Sequence, residues 1–233
     1  MNPKYQVRKK SHILYDGDVL DQADSTLFDP SAWSARGKLT GSALGRGTTV
    51  FIRDGDNHWV LRHYLRGGMA ATISRDRYVW TGLEQTRAWR EWRLLAELRE
   101  RGLPVPPPVA AQVVRRGLLY SADLITGRLE GRALSVVARE QRLEQWKAVG
   151  ACIRRFHDEG VFHADLNAHN ILLDGDSVAL LDFDRSRLRP PGKWREQNLE
   201  RLQRSLRKLS GIHFGFDFGD EQWHLLLAGY GEA

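Results

Sequence analysis

The sequence is poor in cysteine and lacks long apolar runs, and both shortages exclude whole classes of protein. With Cys152 as the only cysteine among 233 residues, the chain forms no internal disulfide and no cysteine-based zinc site. No stretch reaches the roughly 18–20 apolar residues of a membrane-spanning helix. The first residues carry charges but no apolar segment, so we expect no secretory signal. These observations favour a soluble cytoplasmic protein.

Positive charge is in excess, with 35 Lys and Arg against 29 Asp and Glu, which gives a net charge of +6. Such an excess indicates an anionic partner, which could be nucleic acid, anionic lipid or a phosphorylated substrate. The alternative interpretation is a surface that is merely soluble. No recognised nucleic-acid-binding motif accompanies the charge, so we expect no nucleic-acid partner.

The first half of the chain has mainly strand character. The turn residues from Asp54 to Asn57 separate two β-type runs, and Arg115–Gly117 separate two more, so each set predicts a hairpin. We expect irregular structure with one or two short strands over the first 45 or so residues. Between the hairpins, apolar residues recur at helical spacing from Thr86 to Arg101, and Gly102 is placed to end that helix.

The second half is predicted to be mainly helical, with one short strand pair. Apolar residues fall on one helical stripe from Leu143 to Phe156, and again from Trp194 to Leu209. We therefore predict an α+β chain with two lobes: a β-rich N-terminal lobe with one key helix, over residues 1–126, and a mostly helical C-terminal lobe, over residues 127–233.

The most specific signal is the loop from His163 to Asn170. Its His-x-Asp-x4-Asn spacing matches the catalytic loop of kinases, and an apolar strand follows it. Twelve residues after Asn170, Asp182 opens an Asp-Phe-Asp triplet that resembles the Asp-Phe-Gly element of kinases. Polar residues at such positions can also simply cap turns. Because both elements occur in the right order and spacing, we favour phosphoryl transfer.

This chemistry explains the residue types. Phosphoryl transfer depends on positioning and on neutralising charge. We expect Asp165 to be the catalytic residue that accepts the proton of the attacking hydroxyl. Asn170 and Asp182 offer the oxygen ligands that Mg²⁺ prefers. We expect His163 to orient the loop rather than to react.

A set of four residues, all N-terminal to the catalytic loop, are candidates for positioning ATP. Gly45 and Gly47 precede a strand, where backbone N–H groups can approach phosphates. Arg62 stands on a strand at the place where a kinase carries its phosphate-binding lysine, and Glu91 on the following helix could pair with it. Other glutamates compete for that partnership: Glu84, Glu97 and Glu100.

From about Gly41 onward the chain resembles a small protein-kinase-like fold, and more narrowly the 3-deoxy-D-manno-octulosonic acid (Kdo) kinase family of lipopolysaccharide assembly. Two departures from protein kinases, Arg62 in place of lysine and Asp184 in place of glycine, are similar to this family's own pattern. The resemblance is carried by Leu44–Thr48, Val60–Tyr64, Arg66–Gly68, the helix around Glu91, Gly102–Pro106, Phe162–Asn170 and Leu181–Asp184.

The resemblance implies an ATP-dependent kinase that phosphorylates the 4-hydroxyl of Kdo on Kdo-lipid IVA. Its partners would be the Kdo-bearing lipid A precursor and the anionic surface of the inner membrane, with peripheral attachment to the cytoplasmic face. A basic cluster after Asp182 would hold the anionic acceptor, or else is simply a solvated surface. Its members are Arg185, Arg187, Arg189, Lys193 and Arg195.

Two alternatives stay open. One is a kinase for another lipopolysaccharide sugar, such as a heptose, or for a small molecule, because the catalytic loop is shared. The other is a catalytically silent binding module of the same fold, which Arg62 in place of lysine favours. The complete set of Asp165, Asn170 and Asp182 argues against the silent module. Oligomeric state does not follow from the sequence.

Overall fold

A computed structural model describes residues 1–44, 48–65, 76–137, 143–212, 216 and 218–232. The chain forms two compact units. The first consists of Met1–Glu97 and Pro106–Leu129, and the second of Leu98–Val105 and Glu130–Ala233. We keep the lobe boundary between residues 126 and 127 as a prediction.

The first unit is built on an antiparallel sheet. Its strands run in the order β1-β2-β7-β8-β5-β4-β3, and β6 pairs with β8. The bounds are β1 Pro3–Arg8, β2 Ser11–Asp16, β3 Leu39–Leu44, β4 Thr48–Asp54, β5 Asn57–His63, β6 Tyr78–Val79, β7 Pro108–Arg116 and β8 Leu119–Gly127.

The two predicted hairpins are confirmed. Strands β4 and β5 pair from Asp54 with Asn57 outward, and Gly55 in their turn has a φ of +61°, which few residues besides glycine adopt. Strands β7 and β8 pair around a turn in which Gly117 has a φ of +65°. The turn residues therefore fixed the register of both hairpins.

One face of this sheet is covered by a short helix, α1 (Pro30–Ala35). The Asp29 carboxylate accepts a hydrogen bond from the Ser31 backbone N–H at 2.9 Å, which caps the helix. Trp33 of α1 packs edge-on against Trp59 of β5, with ring centroids 6.0 Å apart. Around them lies a core that includes Ile13, Tyr15, Val50, Ile52, Leu61 and Ile125.

The predicted helix between the hairpins is α2, Arg87–Glu100. The apolar stripe of this helix, from Trp89 to Leu98, is buried as the spacing predicted, and Gly102 follows with a φ of +72°. Residues up to Glu97 belong to the first unit and the remainder to the second.

The second unit is mainly helical. Strands β9 and β12 flank β11 in one small sheet, and β10 pairs with β13. The bounds are β9 Arg132–Ala133, α3 Leu134–Val137, α4 Leu143–Asp158, β10 Val161–Phe162, β11 Ile171–Asp174, β12 Ser177–Leu180, β13 Arg187–Leu188, α5 Trp194–Ile212 and α6 Asp220–Glu232.

Helices α4 and α6 approach each other through glycines. A Cβ atom at Gly150 of α4 would lie 1.9 Å from the Leu226 carbonyl oxygen, and one at Gly229 of α6 would lie 2.1 Å from the Lys147 carbonyl oxygen. No side chain fits at such distances, so the two backbones are in direct contact. This contact fixes α4, and α4 is followed in the chain by β10 and then by the loop that starts at His163.

The prediction of irregular structure with one or two short strands over the first 45 residues is wrong, because three strands, β1 to β3, and helix α1 lie there. Strands β1 and β2 form a regular hairpin that extends the sheet along β7. Strand β1 alternates apolar and polar residues, with Tyr5 and Val7 on one side, but it spans only six residues and is almost entirely exposed, so it does not stand out as part of a buried sheet. No helix in the described part of the chain is long and apolar enough to cross a membrane.

Candidate active site

The loop from His163 to Asn170 folds around the backbone carbonyl of Asp165. The side-chain Nδ2 atoms of Asn167 and Asn170 both donate to this oxygen, at 3.0 and 2.9 Å. Asn167 also caps the short 3₁₀ helix Ala168–Asn170, where its Oδ1 accepts the His169 N–H at 2.8 Å. The two asparagines therefore fix the backbone that carries Asp165.

His163 is buried and links this loop to the residue before Asp182. The Asp165 backbone N–H donates to His163 Nδ1 at 3.2 Å, so that nitrogen carries no proton. The other nitrogen, Nε2, then donates to the Leu181 carbonyl at 2.9 Å. Burial lowers the pKa of His163, which keeps the ring neutral in this arrangement. The predicted orienting role agrees with these contacts.

Asp182 has an unusual backbone conformation directly after this link. Its φ of +59° lies in the left-handed region, which costs a non-glycine residue energy and is common at functional sites. The next residue, Phe183, holds this conformation, because its ring is buried against those of His163 and Phe156. The ring centroids lie 4.9 Å and 5.8 Å from that of Phe183. The Leu181 N–H also donates to the Asn170 carbonyl at 2.9 Å.

The Asp165 side chain has a partner that sequence reasoning missed. Arg201 of helix α5 donates to Asp165 Oδ1 from both Nη2, at 2.6 Å, and Nε, at 3.1 Å. Oδ2 accepts no hydrogen bond from the described residues. Arg201 lies 36 residues later on a helix rich in exposed charges, so the sequence contains no local signal for this pairing.

Helix α5 also holds the backbone of the loop. Buried Asn198 accepts the His163 N–H at 3.2 Å and donates to the His163 carbonyl at 3.0 Å. Ser205 accepts the Ala168 N–H at 3.3 Å. The helix thus contacts the loop before, at and after Asp165.

In the first unit the structure brings Arg62 and Glu91 together, as the sequence anticipated. Arg62 Nη2 lies 2.5 Å from Glu91 Oε2, and Tyr64 donates its hydroxyl to the same oxygen at 2.6 Å. The Glu91 side chain is only 3% exposed, against 22% for Arg62. Burial, and then the charge of Glu91, raise the pKa of Tyr64 well above its ordinary value. Gly45 and Gly47 lie outside the described residues.

The oxygen donors of the second unit are of the type that magnesium takes. Asn170 uses its amide nitrogen for the Asp165 carbonyl, and its Oδ1 accepts no hydrogen bond from the described residues. Asp182 adds a carboxylate. The described residues contain no group of three or more His, Cys, Asp or Glu that could hold a metal by itself. Such a sparse set fits Mg²⁺, which is bound by one or two carboxylates together with substrate phosphates and water.

A β-rich unit with a strand–helix ion pair, and a helical unit whose His-x-Asp-x4-Asn loop is tied to an Asp-Phe element, define the protein-kinase-like class of phosphotransferases. Within that class, residues 30–230 match the lipopolysaccharide kinase (Kdo/WaaP) family, and the chain belongs to that family. It is therefore a kinase that transfers phosphate to a sugar hydroxyl, with ATP as the co-substrate that a kinase family implies.

Three relatives are named 3-deoxy-D-manno-octulosonic acid kinase. The chain is 50% identical to that of Xanthomonas axonopodis pv. citri (strain 306), over 90% of this chain and 85% of the relative. It is 47% identical to that of Xanthomonas oryzae pv. oryzae (strain PXO99A), over 98% and 92%. It is also 47% identical to that of Stenotrophomonas maltophilia (strain R551-3), over 91% and 86%.

A solved structure described as WaaP in complex with acyl carrier protein has the same fold. It aligns with a TM-score of 0.57 over 90% of this chain and 86% of its own, at 18% identity. The resemblance to the Kdo kinase family, the two-lobed α+β kinase-like fold and the assignment as a phosphotransferase are all confirmed. The individual roles of the site residues stay predictions.

Proposed function

We propose that this protein is a Kdo kinase, which uses ATP to phosphorylate the 4-hydroxyl of Kdo on Kdo-lipid IVA. The relatives at 47–50% identity that carry the name of a Kdo kinase support this substrate class. The observation that carries the proposal is the loop of the second unit. It presents the half-exposed carboxylate of Asp165 beside Asn170 and is tied through His163 to the strand end at Asp182.

Asp165 is the proposed catalytic residue. Its free Oδ2 accepts the proton of the sugar hydroxyl as the hydroxyl oxygen attacks the γ-phosphorus of ATP. Such assistance typically accelerates a reaction by about 10²–10⁴-fold. Asn170 Oδ1 and the Asp182 carboxylate would hold Mg²⁺, which when bound neutralises phosphate charge. Because none of these three side chains can take over the task of another, replacing any one of them by alanine should abolish transfer.

The first unit would position ATP. Gly45 and Gly47, which precede β4 in the sequence, would bring backbone N–H groups to the phosphates. Arg62, held by buried Glu91, would present a permanently charged guanidinium to a phosphate. Because Arg62 uses Nη2 for Glu91 and Tyr64, the ion pair limits how the guanidinium can turn.

The acceptor is an anionic sugar on a phosphorylated lipid, so cations near Asp182 are suited to hold it. Arg185 is exposed two residues before β13, and Arg187 and Arg189 both stack on Phe162. Replacing Arg185 and Arg187 by alanine should raise the Michaelis constant of the acceptor more than that of ATP. The net charge of +6 supports peripheral attachment to the anionic cytoplasmic face of the inner membrane.

The test is transfer of labelled phosphate from ATP to purified Kdo-lipid IVA in the presence of Mg²⁺. An Asp165→Ala variant, checked for folding by circular dichroism, is the control. We expect label in the lipid with the wild type only, and fragmentation by mass spectrometry together with NMR should locate the phosphate on the 4-hydroxyl. A phosphate at another hydroxyl would refute the regiochemistry while leaving the substrate class.

Two alternatives are decided by the same assay. Transfer to heptose-containing acceptors but not to Kdo would identify a kinase for another lipopolysaccharide sugar. Binding of Mg-ATP, detected as a thermal shift, without turnover on any acceptor would indicate the silent module. The pairing of Arg62 with buried Glu91 favours an intact ATP site over the silent module, because the substituted cation still has its glutamate partner.

A further inference from the structure

We propose that Arg201 is a positioning residue for phosphoryl transfer: it holds the Asp165 carboxylate by Oδ1 and thereby directs Oδ2 to the acceptor hydroxyl. The inference rests on the proposed function of Asp165. Arg201 was not among the residues that the sequence marked for chemistry.

The geometry of the contact favours this role. Nε and Nη2 of Arg201 converge on the same oxygen, at 3.1 and 2.6 Å. A guanidinium that bridged both carboxylate oxygens would occupy the oxygen that must accept the proton. Here one oxygen is fixed by two donors, and the other accepts no hydrogen bond from the described residues. The carboxylate is therefore oriented without being blocked.

The helix that carries Arg201 is itself fixed to the loop. Asn198, Arg201 and Ser205 are spaced i, i+3 and i+7, so they share one face of α5. Asn198 is 2% exposed and makes two hydrogen bonds to the backbone of His163. Ser205 accepts the backbone N–H of Ala168. Contacts on both sides of Asp165 thus set the distance between the Arg201 backbone and the carboxylate.

Stability alone does not account for this ion pair. The side chains of Arg201 and Asp165 are 47% and 51% exposed, and pairs in such surroundings contribute little to folding. Arg204 on the same helix gives a direct comparison. Its ion-pair partner, Glu200, lies 3.8 Å away on the same helix, and both side chains are about two-thirds exposed.

The acceptor oxygen forms a bond to the γ-phosphorus, the bond from that phosphorus to the bridging oxygen of ADP breaks, and its electron pair leaves with ADP. The hydroxyl proton passes to Asp165 Oδ2. Arg201 stays charged throughout and exchanges no proton.

The kinetic test compares Arg201→Ala, Arg201→Lys and the control Arg204→Ala. We expect Arg201→Ala to lower kcat by about 10- to 100-fold, because misplacing a reacting group by about 1 Å can cost that much. The Michaelis constants of ATP and acceptor should stay close to the wild type. Lysine should restore part of the rate, since it keeps the charge but not the two-donor fork. A raised Michaelis constant for the acceptor with unchanged kcat would overturn the proposal. So would a decrease in kcat no larger than that of Arg204→Ala.

A double-variant cycle asks whether Arg201 acts through Asp165. Adding Arg201→Ala to Asp165→Ala should cost little further activity, because the group to be positioned has gone. Losses that multiply would mean that Arg201 acts on the substrate independently, and would overturn the proposal.

A measurement without turnover separates this inference from the proposed function. In NMR spectra of the free protein, the Nε–H of Arg201 should be protected from exchange with solvent, and Asp165→Ala should remove the protection. A wild type that fails to phosphorylate Kdo-lipid IVA would refute the function alone. An unprotected Arg201 in the wild type would refute the positioning role, whatever the acceptor.

Discussion

Breaking the ion pair between Arg62 and Glu91 should separate the stability of the first unit from its use of ATP. Glu91→Ala removes an acceptor that is 3% exposed and leaves the guanidinium of Arg62 and the hydroxyl of Tyr64 without it. Losing one partner of a buried pair costs about 3–5 kcal/mol. Because Arg62 keeps 22% exposure and can turn toward water, we expect about 3 kcal/mol, the lower end of that range.

Calorimetry and urea unfolding measure this loss. For a chain of this size, 3 kcal/mol corresponds to a fall in Tm of about 6–12 °C. The matched control is Glu100→Ala, since Glu100 is exposed on the same helix. The double variant Arg62→Met, Glu91→Leu should recover part of the stability, because an apolar pair needs no charge compensation while the Tyr64 hydroxyl still lacks its acceptor.

The same double variant should still lose catalysis. If Arg62 binds a phosphate, its removal should raise the Michaelis constant of ATP or lower kcat although the protein is stable. A Glu91→Ala variant that melted within about 1 °C of the control would refute the stabilising role of the buried ion pair. Wild-type kinetics of the double variant would refute phosphate binding by Arg62.

Three further predictions concern the second unit. Burial lowers the pKa of His157 to about 4, below its unfolded value of about 6.5. The free energy of unfolding should therefore fall by about 3 kcal/mol as the pH drops from 6.5 to 4. In urea unfolding at several pH values, a His157→Asn variant should lose less stability over this range than the wild type, and an equal loss would contradict the burial of His157. Gly150→Ala should cost about 1–3 kcal/mol or more in the same assay, because its Cβ would meet the Leu226 carbonyl, whereas Gly211→Ala should not destabilise. Burial raises the pKa of Cys152 to about 12, so a thiol reagent should label it only on unfolding; rapid labelling of the native protein would contradict this.

Local signals in the sequence predicted much of the fold. Turn residues such as Gly55 and Gly117 marked the hairpins, and apolar spacing marked helices α2, α4 and α5 close to their observed ends. Each of these signals lies within the element that it predicts. Strand β1 was not located, because it is short and mostly exposed, and its place depends on pairing with β2 and on the contact of Tyr5 with Trp89 of α2.

The candidate site also combines residues with a local sequence signal and a residue without one. Asp165, Asn170 and Asp182 could be predicted as site residues because the chemistry requires such groups at fixed spacing in one stretch of chain. Arg201 was not found, because its contact with Asp165 depends on how helix α5 packs against the loop. From the sequence, Arg201 is one of several arginines on a solvated face.

Helix α5 has a consequence for synthesis of the chain. The loop with Asp165 leaves the ribosome before the helix whose residues 198–205 hold it, and the N-terminal part of a chain folds first during synthesis. A nascent chain that has reached Asp182 therefore contains the whole loop and the Asp-Phe element but lacks their support. If Arg201 positions Asp165 as we propose, we expect kinase activity only once α5 has emerged, and a chain that ends before Trp194 would carry every motif residue without that support.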